Sequence, residues 1–292
     1  MTDSGTESGA PRWDGAGPRP LADRLLLDTW ERASALAPVG RPLALLAAVW
    51  PDHGWERLAA EPLGRFTARL AGLRRSLVGD AVEAVASCPS CAGLVEVGFQ
   101  LSLLSGSGSG GSAGSGGPDV GAVVGWESGA ELSITAEGHE VRCRPVTTGD
   151  LLAVLGSADP ASALLARCVT GAVRLGEPGE PGEPGAPGEP GAPGEAVPAG
   201  ELPAGVRASV EEALAAADPH AEPLLGLDCP ACDTQWWAPF DLGAFLWAEV
   251  ERLALHTLGE VDVLARAYGW RESDILALGR IRRRRYLDLV RA

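Results

Sequence analysis

The sequence predicts an α+β protein, mainly helical, in which a small β element joins N-terminal and C-terminal helical parts. Three observations carry this. Apolar residues recur at spacings of three and four over several segments, which is the helical period. Two short turns, Cys88-Pro-Ser-Cys91 and Cys229-Pro-Ala-Cys232, lie beside extended-looking runs. Hydrophobic residues make up 46% of the chain, enough to bury a core and to argue against wholesale disorder.

Residues 1–18 are polar and rich in Gly and Pro, and read as a disordered tail. Residues 19–104 carry the N-terminal helices and the first cysteine turn. Leu25, Leu26, Trp30 and Ala33 share one helical face, and Pro42 to Val49 is a compact apolar run. Pro62 to Val78 reads as a helix with Phe66, Leu70, Leu73 and Leu77 on one side. A short helical stretch is expected to end near Ala86, just before Cys88, and Leu94 to Leu104 looks extended. Residues 105–118, of the type Ser-Gly-Ser-Gly, form a flexible linker by composition.

Residues 119–175 read as a hairpin followed by helices. Glu131 to Val146 gives the hairpin, turning at Glu137-Gly138. Thr147 or Thr148 caps a helix through Asp150 to Leu155. Asp159-Pro160 starts another, reaching about Ala172. Residues 176–200 are a low-complexity spacer, with glycine at every third position from Gly176 to Gly194. That is the collagen period, but so short a run favours an extended acidic spacer over a triple helix.

Residues 201–292 hold the second cysteine turn and the C-terminal helices. Pro203 to Ala217 is helical and stops at Asp218-Pro219. Leu224 to Asp228 and Thr234 to Phe240 look extended around the cysteines. Asp241 caps a long helix to about Tyr268, with Phe245, Leu246, Val250, Leu253, Leu258, Val261 and Leu264 inward and Gly269 as terminator. Ser273 with Asp274 starts a short helix to Leu278. A last helix packs through Ile281, Tyr286, Leu287 and Val290.

The cysteines carry the strongest chemical signal. A Cys-Pro-x-Cys turn points two thiolates and nearby amides at one spot, which is half of a tetrahedral zinc site. Cys88, Cys91, Cys229 and Cys232 together complete one, as a zinc-ribbon-like element with a large insertion. A redox Cys-x-x-Cys pair is one alternative, but such a pair opens a helix, whereas both pairs here precede strand-like sequence. Two independent half-sites are another. Four thiolates leave no open position for a catalytic water, so the zinc is expected to be structural. Cys143 and Cys168 lack a partner motif and read as small buried residues.

The remaining composition excludes several function classes. With 39 acids, 24 basic residues and a net charge of −15, the chain argues against general nucleic-acid binding. Every basic residue is arginine, so a Walker lysine and Schiff-base chemistry are out. His53, His139, His220 and His256 are scattered without a nucleophile, and no enzyme is expected. There is no signal-like start and no apolar run of about 18 residues, which points to the cytoplasm and to no membrane.

Nine tryptophans are many, and Trp236, Trp237, Trp247 and Trp270 are expected to cluster around the second turn and the long helix. From Arg271 onward there are seven arginines against three acids. Tyr268, Trp270, Arg282, Arg283, Arg284 and Arg285 are the candidate partner-binding residues. A helix-turn-helix for DNA is the competing reading of the same helices.

The segments Cys229-Pro-Ala-Cys232, Pro239-Phe240-Asp241, Phe245 to Glu249, Leu264 to Leu278 and Arg283 to Leu289 resemble bacterial phage-baseplate-like proteins of contractile injection systems. The last part is similar to the T-even phage baseplate hub assembly factors. The most specific stretch is Tyr268-Gly269-Trp270-Arg271-Glu272. Trp50-Pro51 through Leu77 and the first cysteine turn are similar to the bacterial group as well. One departure is Asp262, where the resemblance would place histidine. The resemblance implies a structural or chaperone-like assembly role, no catalysed reaction, and baseplate, hub or spike proteins as partners. The competing function is a zinc-ribbon DNA-binding regulator acting through the C-terminal arginine-rich helices.

Overall fold

The computed structural model describes residues 19–105, 131–175 and 194–291. The expected tail, most of the Gly/Ser linker and the collagen-like part of the spacer lie outside the described residues. Among the described residues the fold is mainly helical, as the apolar periodicity predicts, with three small antiparallel sheets.

Four helices open the described part of the chain: α1 (Asp23–Ser34), α2 (Gly40–Val49), α3 (Gly54–Ala59) and α4 (Leu63–Val78). Their apolar stripes are complementary. Leu26, Leu43, Leu46, Leu58, Leu70 and Leu73 are buried together. A long helix near the other end of the chain, α8 (Leu242–Tyr268), completes this core with Leu246, Val250 and Ala254. The N-terminal and C-terminal parts thus share one core. α8 starts where Asp241 accepts a hydrogen bond from the Ala244 amide at 2.9 Å, and ends at Gly269, whose φ is 67°. Both signals were legible in sequence.

Two hairpins extend from this core. β1 (Ala81–Ser87) pairs with β2 (Leu94–Gln100), and β7 (Leu224–Asp228) pairs with β8 (Gln235–Pro239). The stretch before Cys88 is therefore a strand, where helix was expected. Val82 packs inward while Glu83 and Val85 face out, a period of two that alanines at 81, 84 and 86 disguise. The two hairpins are separate sheets; they do not pair side by side into one ribbon.

A second core lies between. β3 (Leu132–Ala136) and β4 (His139–Cys143) form the expected hairpin, turning through Glu137 (φ 47°) and Gly138 (φ 71°). Both residues are left-handed, as a two-residue turn of this kind requires. β5 (Val169–Arg174) and β6 (Glu195–Ala196) extend the sheet. Glu195 and Ala196, expected in the spacer, are therefore a strand. Helices α5 (Thr148–Ala153), α6 (Pro160–Cys168) and α7 (Ala204–Ala217) accompany it, and Val141, Cys143, Leu165, Val206 and Val210 are buried together. α6 stops at Cys168 rather than near Ala172, because Val169 onward joins the sheet. Cys143 and Cys168 are fully buried, as small apolar residues would be. This unit docks on the first core: the Gly64 amide at the start of α4 donates to the Asp218 carboxylate at 2.9 Å, and the Leu63 amide donates to the Val146 carbonyl at 3.0 Å.

Asp150 organises the start of α5. Its carboxylate accepts from Arg144 (2.6 and 2.8 Å), Arg167 (2.9 Å) and the Thr147 hydroxyl (2.8 Å), while Thr147 caps the helix in return. Burial alone would raise its carboxyl, but these hydrogen bonds win and hold it at about 2, below the ordinary 3.8. A carboxyl that titrates lower in the folded state contributes in full above about pH 4. That contribution is lost as pH falls from there towards 2. Thermal melts of wild type and Asp150→Asn across this window check it: the stability gap is expected to be wide at neutral pH and to narrow towards pH 2.

After Gly269 the chain forms α9 (Glu272–Leu276) and α10 (Arg280–Arg291). α9 begins at Glu272 with no side-chain cap, so Ser273 and Asp274 sit in its first turn rather than starting it. Val261, Leu264, Ile275 and Leu287 form a small third core. The inner face of the C-terminal helices differs from the expected one. Leu258, Ile281 and Val290 are exposed; α10 buries Leu287, as expected, and packs Tyr286 beside it, but its second buried residue is Arg283.

Candidate metal centre

Each cysteine turn sits at the tip of its hairpin, and the two tips have the same backbone. The Cys88 amide donates to the Gly93 carbonyl and the Ala92 amide to the Cys88 carbonyl, both at 2.9 Å. The Cys229 amide donates to Thr234 and the Asp233 amide to Cys229, again at 2.9 Å. The residue after each second cysteine is left-handed: Ala92 has φ 58° and Asp233 has φ 55°. The bases of the hairpins meet through Phe99 and Phe240, edge to face with ring centres 5.2 Å apart.

This geometry brings all four sulfurs together. Cys88 Sγ lies 3.6 Å from Cys232 Sγ, and Cys91 Sγ lies 3.6 Å from Cys229 Sγ. All four lie within 4.8 Å of one another. Four sulfurs around one ion at about 2.3 Å would stand about 3.8 Å apart, so the set matches a single tetrahedral ion. It is too tight for a bridged iron–sulfur cluster. Cys88 and Cys229 are buried, Cys232 is half-buried and Cys91 is exposed; Val95 and Trp236 pack against the group. Among the described residues, this is the one group of three or more His, Cys, Asp or Glu side chains close enough to hold a metal.

The thiols influence one another strongly at this distance. Hydrogen bonds from the Thr234 hydroxyl and amide pull Cys232 down to about 6. At Cys91 the Gly93 amide favours the thiolate, but contact with the other three sulfurs outweighs it and pushes the group up to about 12. Sulfurs this close cannot all be ionised together unless a positive ion balances them. The donor set therefore fits a soft divalent metal.

The left-handed Ala92 leads to a simple expectation. A side chain in this conformation costs about 1 kcal/mol, which glycine avoids; at Asp233 a short polar side chain tolerates it better. Ala92→Gly is expected to raise the melting temperature by a few degrees with metal content unchanged, as differential scanning calorimetry would show.

The other candidate residues divide. Tyr268 stacks on Trp270 with ring centres 4.7 Å apart, and Tyr286 stands edge-on to both. Arg282, Arg284 and Arg285 are exposed. Arg283 is not part of that surface. It is buried between α1 and α8, where it donates to Glu260 at 2.7 Å and pairs closely with Asp23. Asp23 is held below the usual carboxylate range: burial pushes it up, but hydrogen bonds from Arg283 and Arg280 outweigh that. The tryptophans do not form one group. Trp236 touches the cysteines, Trp247 lies in the first core, Trp270 belongs to the C-terminal cluster and Trp237 is exposed.

Sequence reasoning missed the buried ion pairs of α4, one of which joins distant segments. Arg74 of α4 grips Glu249 of α8 through two hydrogen bonds of 2.8 and 2.9 Å. Arg69 grips Glu61 in the same way at 2.7 and 2.8 Å. No local pattern marks Arg74, since its partner lies 175 positions away. Among the described residues, no helix is long and apolar enough to cross a membrane. No protein-family model, no curated protein and no solved structure matches the chain.

Proposed function

We propose that the chain is a non-catalytic assembly protein, clamped by a structural zinc ion, that acts in building the baseplate hub of a contractile, phage-tail-like injection particle. The observation that carries the clamp is the four-sulfur group formed by cysteines up to 144 positions apart. Tetrahedral sulfur coordination is the ordinary geometry of structural zinc, and four thiolates leave no place for a substrate. The ion sits where the hairpins from the two ends of the chain meet, beside the core those ends share. Its role is to hold them in register.

The assembly role is supported by the resemblance carried by Cys229 to Leu289. The exposed Tyr268, with Trp270 and the arginines at 282, 284 and 285, offers a surface for a protein partner. The cytoplasm is the compartment in which such thiols stay reduced and free to bind metal. Affinity purification from cells that assemble the particle tests the reading. Baseplate, hub or spike subunits are expected to co-purify; their absence in the presence of assembled particles would overturn it.

A further inference from the structure

We propose that the outward face of α10 is a docking site for an acidic amphipathic helix of another protein. The inference deepens the assembly reading above and rests on it for the existence of a protein partner.

α10 is amphipathic twice over. At about 100° per residue, Arg283 and Leu287 point one way, into the protein. Ile281, Arg285 and Leu289 follow one another at intervals of four and line the opposite side. Ile281 is 84% exposed and Leu289 is 66% exposed. Two large aliphatic side chains on the far side of a short helix do nothing for the fold, since its packing already runs through Leu287 and Arg283.

Charge selects the occupant. Arg282 and Arg284 flank the aliphatic stripe, have no ion-pair partner among the described residues, and stand on a protein of net charge −15. Arg285 sits midway between Ile281 and Leu289, with only a long contact of 3.8 Å to Asp288. A helix with leucine-like residues two turns apart and a carboxylate between them would cover both aliphatics and neutralise Arg285. A second copy of this chain fits poorly, because pairing Ile281 with Leu289 across a two-fold axis sets Arg285 against itself. Duplex DNA has no use for the aliphatic stripe, and Asp288 beside it opposes both phosphate and an anionic bilayer.

The test uses the full-length, metal-loaded protein and two labelled alanine-based helical peptides. Each carries leucines two turns apart; one has glutamates between and beside them, the other lysines. Fluorescence anisotropy is expected to show the glutamate peptide binding at least about tenfold more tightly. Ile281→Asp should weaken that binding by a similar factor, and Arg285→Glu should reverse the preference between peptides. Both positions are exposed, so circular dichroism and metal content should stay at wild-type values. Equal affinity for the two peptides, or no binding of the glutamate peptide, would overturn the proposal. So would tighter binding to duplex DNA or to phosphatidylserine vesicles, or a dimer that Ile281→Asp dissolves. These outcomes concern the α10 face alone, whereas a purification without baseplate subunits bears on the assembly role alone.

Discussion

Replacing Cys229 with serine is expected to abolish metal binding and to lower stability by at least about 5 kcal/mol, the scale of a small domain's whole stability. The reason lies in where the ligands come from. Cys91 and Cys229 are 138 positions apart; the core shared by α1–α4 and α8 already brings their hairpins near, but at the tips four thiols converge that repel one another when ionised. The tips hold each other only weakly by themselves, although the bases of the hairpins pack on the shared core. Outside their cysteines they bury only Val95 in the small cluster at the tips, with Trp236 half-covered beside it. A structural zinc held by the four sulfurs would be the main force joining the tips, contributing on the order of 10 kcal/mol as in comparable sites. Denaturant unfolding followed by circular dichroism reads the effect. Cys143→Ser serves as a comparison, since Cys143 is buried away from the four-sulfur group and its loss should leave metal content intact.

The second large effect is expected at Arg74. Its side chain is almost wholly buried and donates to Glu249, to the Gly79 carbonyl at 2.8 Å and to the Ala81 carbonyl at 2.9 Å. It thereby ties α4, the start of β1 and α8 at one point, beneath the hairpin that carries Cys88 and Cys91. Arg74→Met removes the cation and strands a buried carboxylate, at a cost of about 3–5 kcal/mol. Restoring neutrality with Glu249→Leu in the same chain should recover a substantial part of that loss, because the stranded charge is then gone. A double-mutant cycle in urea measures both. If the double variant is no more stable than Arg74→Met alone, the buried pair is not the source of the loss.

Much of the architecture was legible because its signals are local. Asp241 and Gly269 bound the long helix, Glu137-Gly138 makes the turn, and Thr147 and Asp159 cap their helices, each through a contact within a few residues. The gathering of the four cysteines was legible too, since each turn presents an incomplete tetrahedron that another must complete. The misreadings share a different cause. Ala81 to Ser87 has the composition of a helix, and only pairing with β2 makes it a strand. Val169 follows a good helical run but is captured by β4. Arg283 sits in a row of four arginines that reads as a solvated face. Its burial depends on Asp23, 260 positions away, and on Glu260 of α8. Partners that far apart leave no trace in a sequence window.

The separate hairpins also sharpen what the proposed metal would do. In one continuous ribbon, backbone hydrogen bonds would share the load between strands. Here the two sheets are not bonded to each other, so the Phe99–Phe240 contact joins their bases and an ion held by the four sulfurs would join their tips.

The central claim is that one zinc ion, held by Cys88, Cys91, Cys229 and Cys232, forms that junction. Native mass spectrometry with elemental analysis of the purified wild-type chain tests it most directly. The account predicts one zinc per chain, with all four of these thiols protected from alkylation until a chelator is added. A fully folded wild-type chain that carries no metal, or one whose cysteines are paired as disulfides, would contradict it.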